Sequence, residues 1–218
     1  MPLSEPTMRD DDLLLLIDVQ RDFCAGGRLA VPDGDAVVPA INRLAGRFKH
    51  IVLTQDWHPA GHTSFASHHP GKRPFEQILV SYGVQTLWPD HCVQQTPGAE
   101  FHPDLDVALV LRPAELILRK GFRKEIDSYS AFLENDKRTT TGLAGYLRER
   151  GFRRIFLAGL AYDYCVRFSA VDAVRAGFET FVIEDACRAI GPVAETEREF
   201  AQAGVELATA AEIVAGRA

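Results

Sequence analysis

The chain has 218 residues, 46% of them hydrophobic and 25% charged, with a formal net charge of −6. A chain of that length and composition can bury a full core without disulfide or metal staples. It has no Lys/Arg-rich run and no apolar stretch near the roughly 20 residues of a membrane helix, so neither nucleic acid nor membrane is an expected partner. The polar, acidic start MPLSEPTMRDDD has no signal-peptide core, which points to the cytoplasm. Cys24, Cys92, Cys165 and Cys187 are widely spaced with no C-x-x-C pair, and in that compartment each is expected as a free thiol.

The first element in chain order is LLLLIDV (Leu13–Val19), a continuous apolar run of the kind seen in strands buried on both faces. DAVVPAINRLAGRF follows, with Val37, Val38, Ile41, Leu44, Ala45 and Phe48 at helical spacing, and HIVLTQD reads as a second strand. An irregular stretch runs from His58 to about Val107. It holds His58, His62, His68, His69 and His91, with His102 near its end. AELILRKG reads as a third strand, and TTTGLAGYLRERG as a helix with Thr caps before it and Gly151 as its stop. RIFLAGL is a fourth strand, YDYCVRFSAVDAVRAG a helix ended by Gly177, and ETFVIEDA a fifth strand. VAETEREFAQAG is a further helix and VELATAAEIV a short sixth strand. Strands alternating with helices predict an α/β fold: an open parallel sheet of about six strands with helices on both faces. No internal repeat or linker divides the chain.

In such a sheet, ligands bind beyond the carboxyl ends of the strands. Strand one ends in Asp18, with Gln20 after it. Strand two ends in Asp56 and His58, strand three in Lys120, and strand four leads to Cys165 at the start of a helix. A thiol becomes a nucleophile beside a base or a positive charge, and a helix N-terminus favours the thiolate. Asp18 is the candidate base and Lys120 the candidate cation. Backbone N–H groups between Ala161 and Cys165 are the candidate oxyanion hole. The implied reaction is acyl transfer through a thioester. Taken singly, Asp18 reads as a strand-end cap, Lys120 as a solvated charge and Cys165 as an inert buried thiol; it is their shared edge that points to chemistry. Asp56 and His58, two residues apart in an extended segment, point the same way. With His91 from LWPDHCV they make a two-His, one-carboxylate set that suits Zn, Fe or Mn and leaves positions open for substrate. His62 is a candidate fourth ligand or a group behind the ligands.

Five ordered blocks resemble the nicotinamidases, also called pyrazinamidases, of the isochorismatase-like cysteine hydrolase family. They are IDVQRDFCAGGRLAV, TQDWHPAGHTSFASHH, LWPDHCVQQTPGAEFHP, RKGFRKEIDSYSAF and GLAYDYCVRFSAVDA. The resemblance runs from about Leu13 to Val214. It implies a Rossmann-like fold and a single hydrolase domain over residues 1–218, with 1–12 as a flexible N-terminal segment. It implies a catalytic triad of Asp18, Lys120 and Cys165, and an oxyanion hole from the N–H groups of Ala161 and Cys165 beside a cis Leu160–Ala161 bond. One divalent metal is implied on Asp56, His58 and His91, zinc first with iron or manganese as alternatives. Phe23, Leu29, Trp88 and Tyr129 match the positions that hold the substrate ring. The implied activity is hydrolysis of nicotinamide to nicotinic acid and ammonia in NAD salvage, with pyrazinamide also accepted. A homo-oligomer is left open. The rival within the family is a hydrolase of another small amide or of isochorismate; those relatives generally lack the Asp-x-His and His91 set. A nucleotide-binding oxidoreductase is disfavoured, because no G-x-G-x-x-G follows strand one. Relatives usually read ATDYC where this chain reads AYDYC, so Tyr162 is expected to alter the pocket beside the oxyanion hole.

Overall fold

The computed structural model describes residues 8–106 and 114–215. Its elements are β1 (Leu13–Ile17), α1 (Val37–Ala45), β2 (His50–Asp56), β3 (Gln77–Val80), β4 (Gly83–Thr86), β5 (Leu116–Lys120) and α2 (Leu143–Glu149). They continue with β6 (Arg154–Leu160), α3 (Arg167–Arg175), β7 (Glu179–Arg188), α4 (Ala194–Ala203), β8 (Glu206–Ala208) and α5 (Ala210–Ala215). Six strands form one sheet in the order β5-β2-β1-β6-β7-β8. Every pairing in it is parallel. The chain builds outward from β1 through β2 to β5, returns to β6 on the other side of β1, and builds outward again. This is the Rossmann-like order, and the reversal leaves a crevice at the carboxyl ends of β1 and β6.

Strand alternation sorts the core into two layers. Leu14 and Leu16 of β1 pack with α1, and with Ile213 of α5, on one face; Leu13, Leu15 and Ile17 pack with Leu147 of α2, Val171 of α3 and Phe200 of α4 on the other. β6 divides the same way, Phe156 and Ala158 to the first layer and Ile155 and Leu157 to the second. Burial on both faces is why these strands read as unbroken apolar runs.

The structure departs from the sequence reading in three places. The stretch read as irregular between His58 and Val107 contains an antiparallel hairpin, β3–β4, outside the main sheet. VELATAAEIV is only briefly a strand: β8 spans three residues and then turns into α5, because the Thr209 backbone and side chain are both capped by Glu212. The helix read in TTTGLAGYLRERG starts at Leu143 with the threonines before it, as expected: Thr141 Oγ1 accepts the Leu143 N–H at 3.2 Å and its hydroxyl donates to Ala131 O at 2.6 Å. The helix read from Tyr162 opens with a π-helical turn over Tyr162–Val166 before α3 begins. Within the segment expected to be flexible, Asp12 is buried and pairs with Arg154 at 3.3 Å; residues 1–7, and the expected stretch end at Val107, lie outside the described residues.

Candidate active site

β1 ends one residue before Asp18, whose φ of 46° puts it in the left-handed region that Asp tolerates better than most residues. Thr54 of β2 fixes it from the side. Its hydroxyl donates to Asp18 Oδ1 at 2.6 Å, and it accepts the Asp18 backbone N–H at 3.1 Å. Lys120, the last residue of β5, is 1% exposed. Its ammonium lies 2.7 Å from Asp18 Oδ2 and 2.5 Å from Asp56 Oδ1, and donates to Ser128 O at 3.1 Å and to Cys165 Sγ at 3.4 Å. Cys165 sits in the π turn after β6. The backbone at Gly159 approaches β1 so closely that a Cβ there would collide with Ile17 O, and the Leu160–Ala161 peptide bond just beyond is cis. Thus four strand ends deliver two carboxylates, an ammonium and a thiol to one point.

Burial pushes the Asp18 carboxyl up against the opposing pull of Lys120. It also pushes the Cys165 thiol well above its ordinary value, Lys120 opposing and Asp18 and Asp56 adding to the rise. Lys120 is raised well above the usual lysine range: burial works against its charge, but Asp18 and Asp56 outweigh that. Burial therefore favours the protonated thiol, while the two carboxylates favour the charge on Lys120. Cys24 and Cys187 are both raised to about 12 by burial, and neither has a lysine in hydrogen-bond contact.

Asp56, His58 and His91 are all buried, with ligand atoms within 4.8 Å of one another. The Gln20 amide grips the Asp56 backbone at both ends, accepting its N–H at 2.8 Å and donating to its carbonyl at 2.9 Å. With Oδ1 on Lys120, Oδ2 of Asp56 faces His58 Nε2 at 3.2 Å and His91 Nε2 at 3.5 Å. Each imidazole spends Nδ1 on a carbonyl: His58 on Gly121 O at 2.9 Å, His91 on Pro89 O at 2.8 Å. Gly121 has to be glycine, since its φ is 64° and a Cβ would collide with the His58 ring. Nδ1 held by a carbonyl leaves the Nε2 lone pair directed inward, the arrangement found behind metal-bound histidines. Burial opposes the charge on His58, but Asp56 raises its pKa; burial would raise Asp56, but Lys120, His58 and His91 hold it well below the carboxylate range. Two inward Nε2 atoms and one free carboxylate oxygen suit a divalent metal with open positions.

His62 stacks on His58 with ring centroids 4.4 Å apart, but its nitrogens are taken. Nε2 bonds Arg123 O at 2.9 Å and Ile126 O at 3.2 Å, and Nδ1 bonds Ser64 Oγ at 2.7 Å. Burial and His58 push it down to about 4, so it is a neutral group behind the ligands.

Between the thiol and the Asp56 set lies a tight pocket with a cavity volume of about 20 Å³, lined by all four expected ring contacts, Phe23, Leu29, Trp88 and Tyr129, and by Ala161. Sequence reasoning missed three of its walls: Asp127, Tyr164 and Ile190. Asp127 is buried and accepts from Ser128 N at 2.8 Å and from Gln85 Nε2 of the hairpin at 2.9 Å. Tyr164 meets Trp88 edge to face at 4.7 Å. Their signals were present: Asp127 and Tyr164 each fall inside a quoted block, and Ile190 lies just past the carboxyl end of β7. Tyr162 differs from its expected role. It is not in the pocket wall; its ring turns away and packs against Phe200 of α4 at 5.5 Å.

Residues 12–212 match the Isochorismatase domain family model. A nicotinamidase of Acinetobacter baylyi is 52% identical over 196 residues, covering 88% of this chain and 90% of that protein. A solved nicotinamidase/pyrazinamidase of Acinetobacter baumanii matches with a TM-score of 0.90 at 50% identity, covering 94% of this chain and 99% of that one. A pyrazinamidase of Pyrococcus horikoshii, solved in complex with zinc, matches with a TM-score of 0.71 at 35% identity, covering 91% and 99% of the two chains. With its strand order, its thiol at the sheet reversal and a family model spanning nearly its whole length, the chain belongs to the isochorismatase family.

Proposed function

We propose that the protein is a cysteine amidohydrolase that converts nicotinamide to nicotinic acid and ammonia, accepts pyrazinamide by the same chemistry, and acts as one domain in cytoplasmic NAD salvage. The observation that carries this reading is the contact of Cys165, Lys120 and Asp18 at one end of an aromatic pocket whose other end is the Asp56–His58–His91 set. The nicotinamidases among the relatives support the substrate.

Cys165 is the nucleophile. As Sγ bonds to the carboxamide carbon, its proton passes to Asp18, whose burial-raised pKa suits it to hold a proton transiently. The carbonyl oxygen takes the negative charge and faces the N–H groups of Ala161 and Cys165. Asp18 then gives its proton to the amide nitrogen, the C–N bond breaks, and ammonia leaves a thioester. Water, losing a proton to Asp18, adds to the thioester carbon; the C–S bond breaks, and the proton returns to sulfur as the acid departs. Lys120 keeps Asp18 and the sulfur in register and balances the charge that moves between them. Phe23, Trp88 and Tyr129 hold the ring, with Leu29 closing one side. A divalent metal on Asp56, His58 and His91 would supply a Lewis-acid anchor for the pyridine nitrogen. Zinc is the first candidate, supported by the zinc-bound pyrazinamidase, with iron and manganese as alternatives.

Ammonia release from nicotinamide by the purified protein tests the activity. Cys165→Ala is expected to lower it by about 10³-fold or more with the fold and metal content retained. Release at the wild-type rate from that variant removes Cys165 from the chemistry. Turnover of isochorismate or of a non-aromatic amide in preference to nicotinamide replaces the substrate reading.

A further inference from the structure

Tyr129, Tyr164 and Ile190 have a cavity on each side. On one is the pocket with the thiol, about 20 Å³; on the other is a vestibule of about 440 Å³, lined further by Thr86 of β4, Phe168 of α3 and Pro192 before α4. These three side chains are the partition between the two spaces. Two of its members are side chains in aromatic contact, Tyr129 and Tyr164 at 5.5 Å. The third, Ile190, belongs to the connection from β7 to α4 and depends on where that backbone runs.

One side chain governs it. The Asp163 carboxylate accepts the N–H of Ile190 at 2.9 Å on Oδ1 and the N–H of Gly191 at 2.8 Å on Oδ2. Asp163 is itself buried, at 8% exposure, and stands two residues before Cys165 in the same π turn. The turn that presents the thiol therefore also grips the wall opposite it. Charge-assisted bonds of this kind are the strong ones, and two on consecutive amides fix direction as well as distance. We propose that Asp163 is the positioning residue that holds Ile190 as a closed partition, and that this partition restricts the enzyme to pyridine carboxamides without apolar ring substituents. The vestibule beyond, where Phe168 and Pro192 share the wall with Arg167 and Glu195, has the room to take such a substituent once the partition yields. This rests on the reading that the nicotinamide ring occupies the pocket.

The test measures kcat and KM for nicotinamide and for nicotinamides carrying one methyl or phenyl group at ring position 4, 5 or 6, in wild type, Asp163→Ala, Asp163→Asn and Ile190→Ala. In Asp163→Ala the KM for nicotinamide is expected to rise about tenfold with a smaller change in kcat. The ratio of kcat/KM for the best substituted amide to that for nicotinamide is expected to rise by about tenfold or more. Asp163→Asn, which keeps one acceptor oxygen, falls between that variant and wild type. Ile190→Ala raises the same ratio without touching the clamp, and carries the test if Asp163→Ala does not fold. A merely structural role lowers kcat/KM for every amide alike, so an unchanged ratio in Ile190→Ala and in whichever Asp163 variant folds overturns the proposal. Wild-type protein that releases no ammonia from nicotinamide overturns instead the substrate reading beneath it.

Discussion

Among the described residues, three groups bring an aspartate, a histidine and a third donor within 4.8 Å of one another: Asp56–His58–His91, His58–His62–Asp127 and Cys24–Asp35–His102. The first and the last share no residue and make the instructive pair. They differ in where the protons point. In the first, both imidazoles give Nδ1–H to carbonyls and turn Nε2 toward a carboxylate oxygen that no other group claims. In the last, His102 Nδ1 accepts the Asp104 N–H at 3.2 Å, which leaves the proton on Nε2, and that nitrogen donates to Asp35 Oδ1 at 3.1 Å. Asp35 Oδ2 takes the Ala25 N–H at 2.7 Å. Burial and Asp35 push the Cys24 thiol up to about 12, so it offers no thiolate. The Cys24 group is closed on itself. Proximity of donors does not make a metal site; the bond on the far nitrogen decides whether a lone pair is available.

The largest effect that sharpens this contrast is on the first group. His58→Ala and His91→Ala are each expected to drop bound metal well below one per chain, by elemental analysis after gel filtration, while His102→Ala leaves it unchanged. Metal retained in both of the first two variants would break the comparison. A smaller effect is expected at Asp22, whose Oδ2 accepts the Cys92 N–H at 2.7 Å and so fixes the backbone next to His91. Asp22→Ala should weaken metal affinity by about 10- to 100-fold, read by competition with a chelator of known strength. His62→Ala comes next, within about tenfold in the same titration, because its nitrogens serve Ser64 and two carbonyls rather than the cavity. The smallest is Cys24→Ala: metal content and ammonia release stay at wild-type levels, with about 1 kcal/mol of stability lost in denaturant melts. Metal lost from Cys24→Ala would show that the Cys24 group binds after all.

The sequence reading succeeded where one physical pattern decided the outcome. HIVLTQD and RIFLAGL match β2 and β6 residue for residue, because strands buried on both faces are continuous apolar runs bounded by polar turns. The thiol, lysine and carboxylate were legible because a parallel sheet sends its strand ends to one edge. The β3–β4 hairpin was not, since Leu79 and Val84 are 82% and 67% exposed and no buried stripe marks it. Tyr162 was misplaced for a related reason. Adjacency in sequence to the oxyanion turn suggested the pocket, but the π turn directs that ring to Phe200, and only the backbone geometry shows it. Asp163 was passed over because its partners, Ile190 and Gly191, lie 27 and 28 residues away.

Lys120 touches Asp18, Asp56 and Cys165 with a single ammonium. The thiol half and the imidazole half of the site therefore share one counter-ion and are not separable modules. Substitutions on opposite sides of it belong to one network, and their free-energy effects will not sum. A double-mutant cycle between Asp18 and Asp56 would measure a coupling that runs through their shared lysine as well as through the repulsion between the two carboxylates. For anyone redesigning this scaffold, the practical unit of change is the carboxylate pair together with its lysine, never one carboxylate alone.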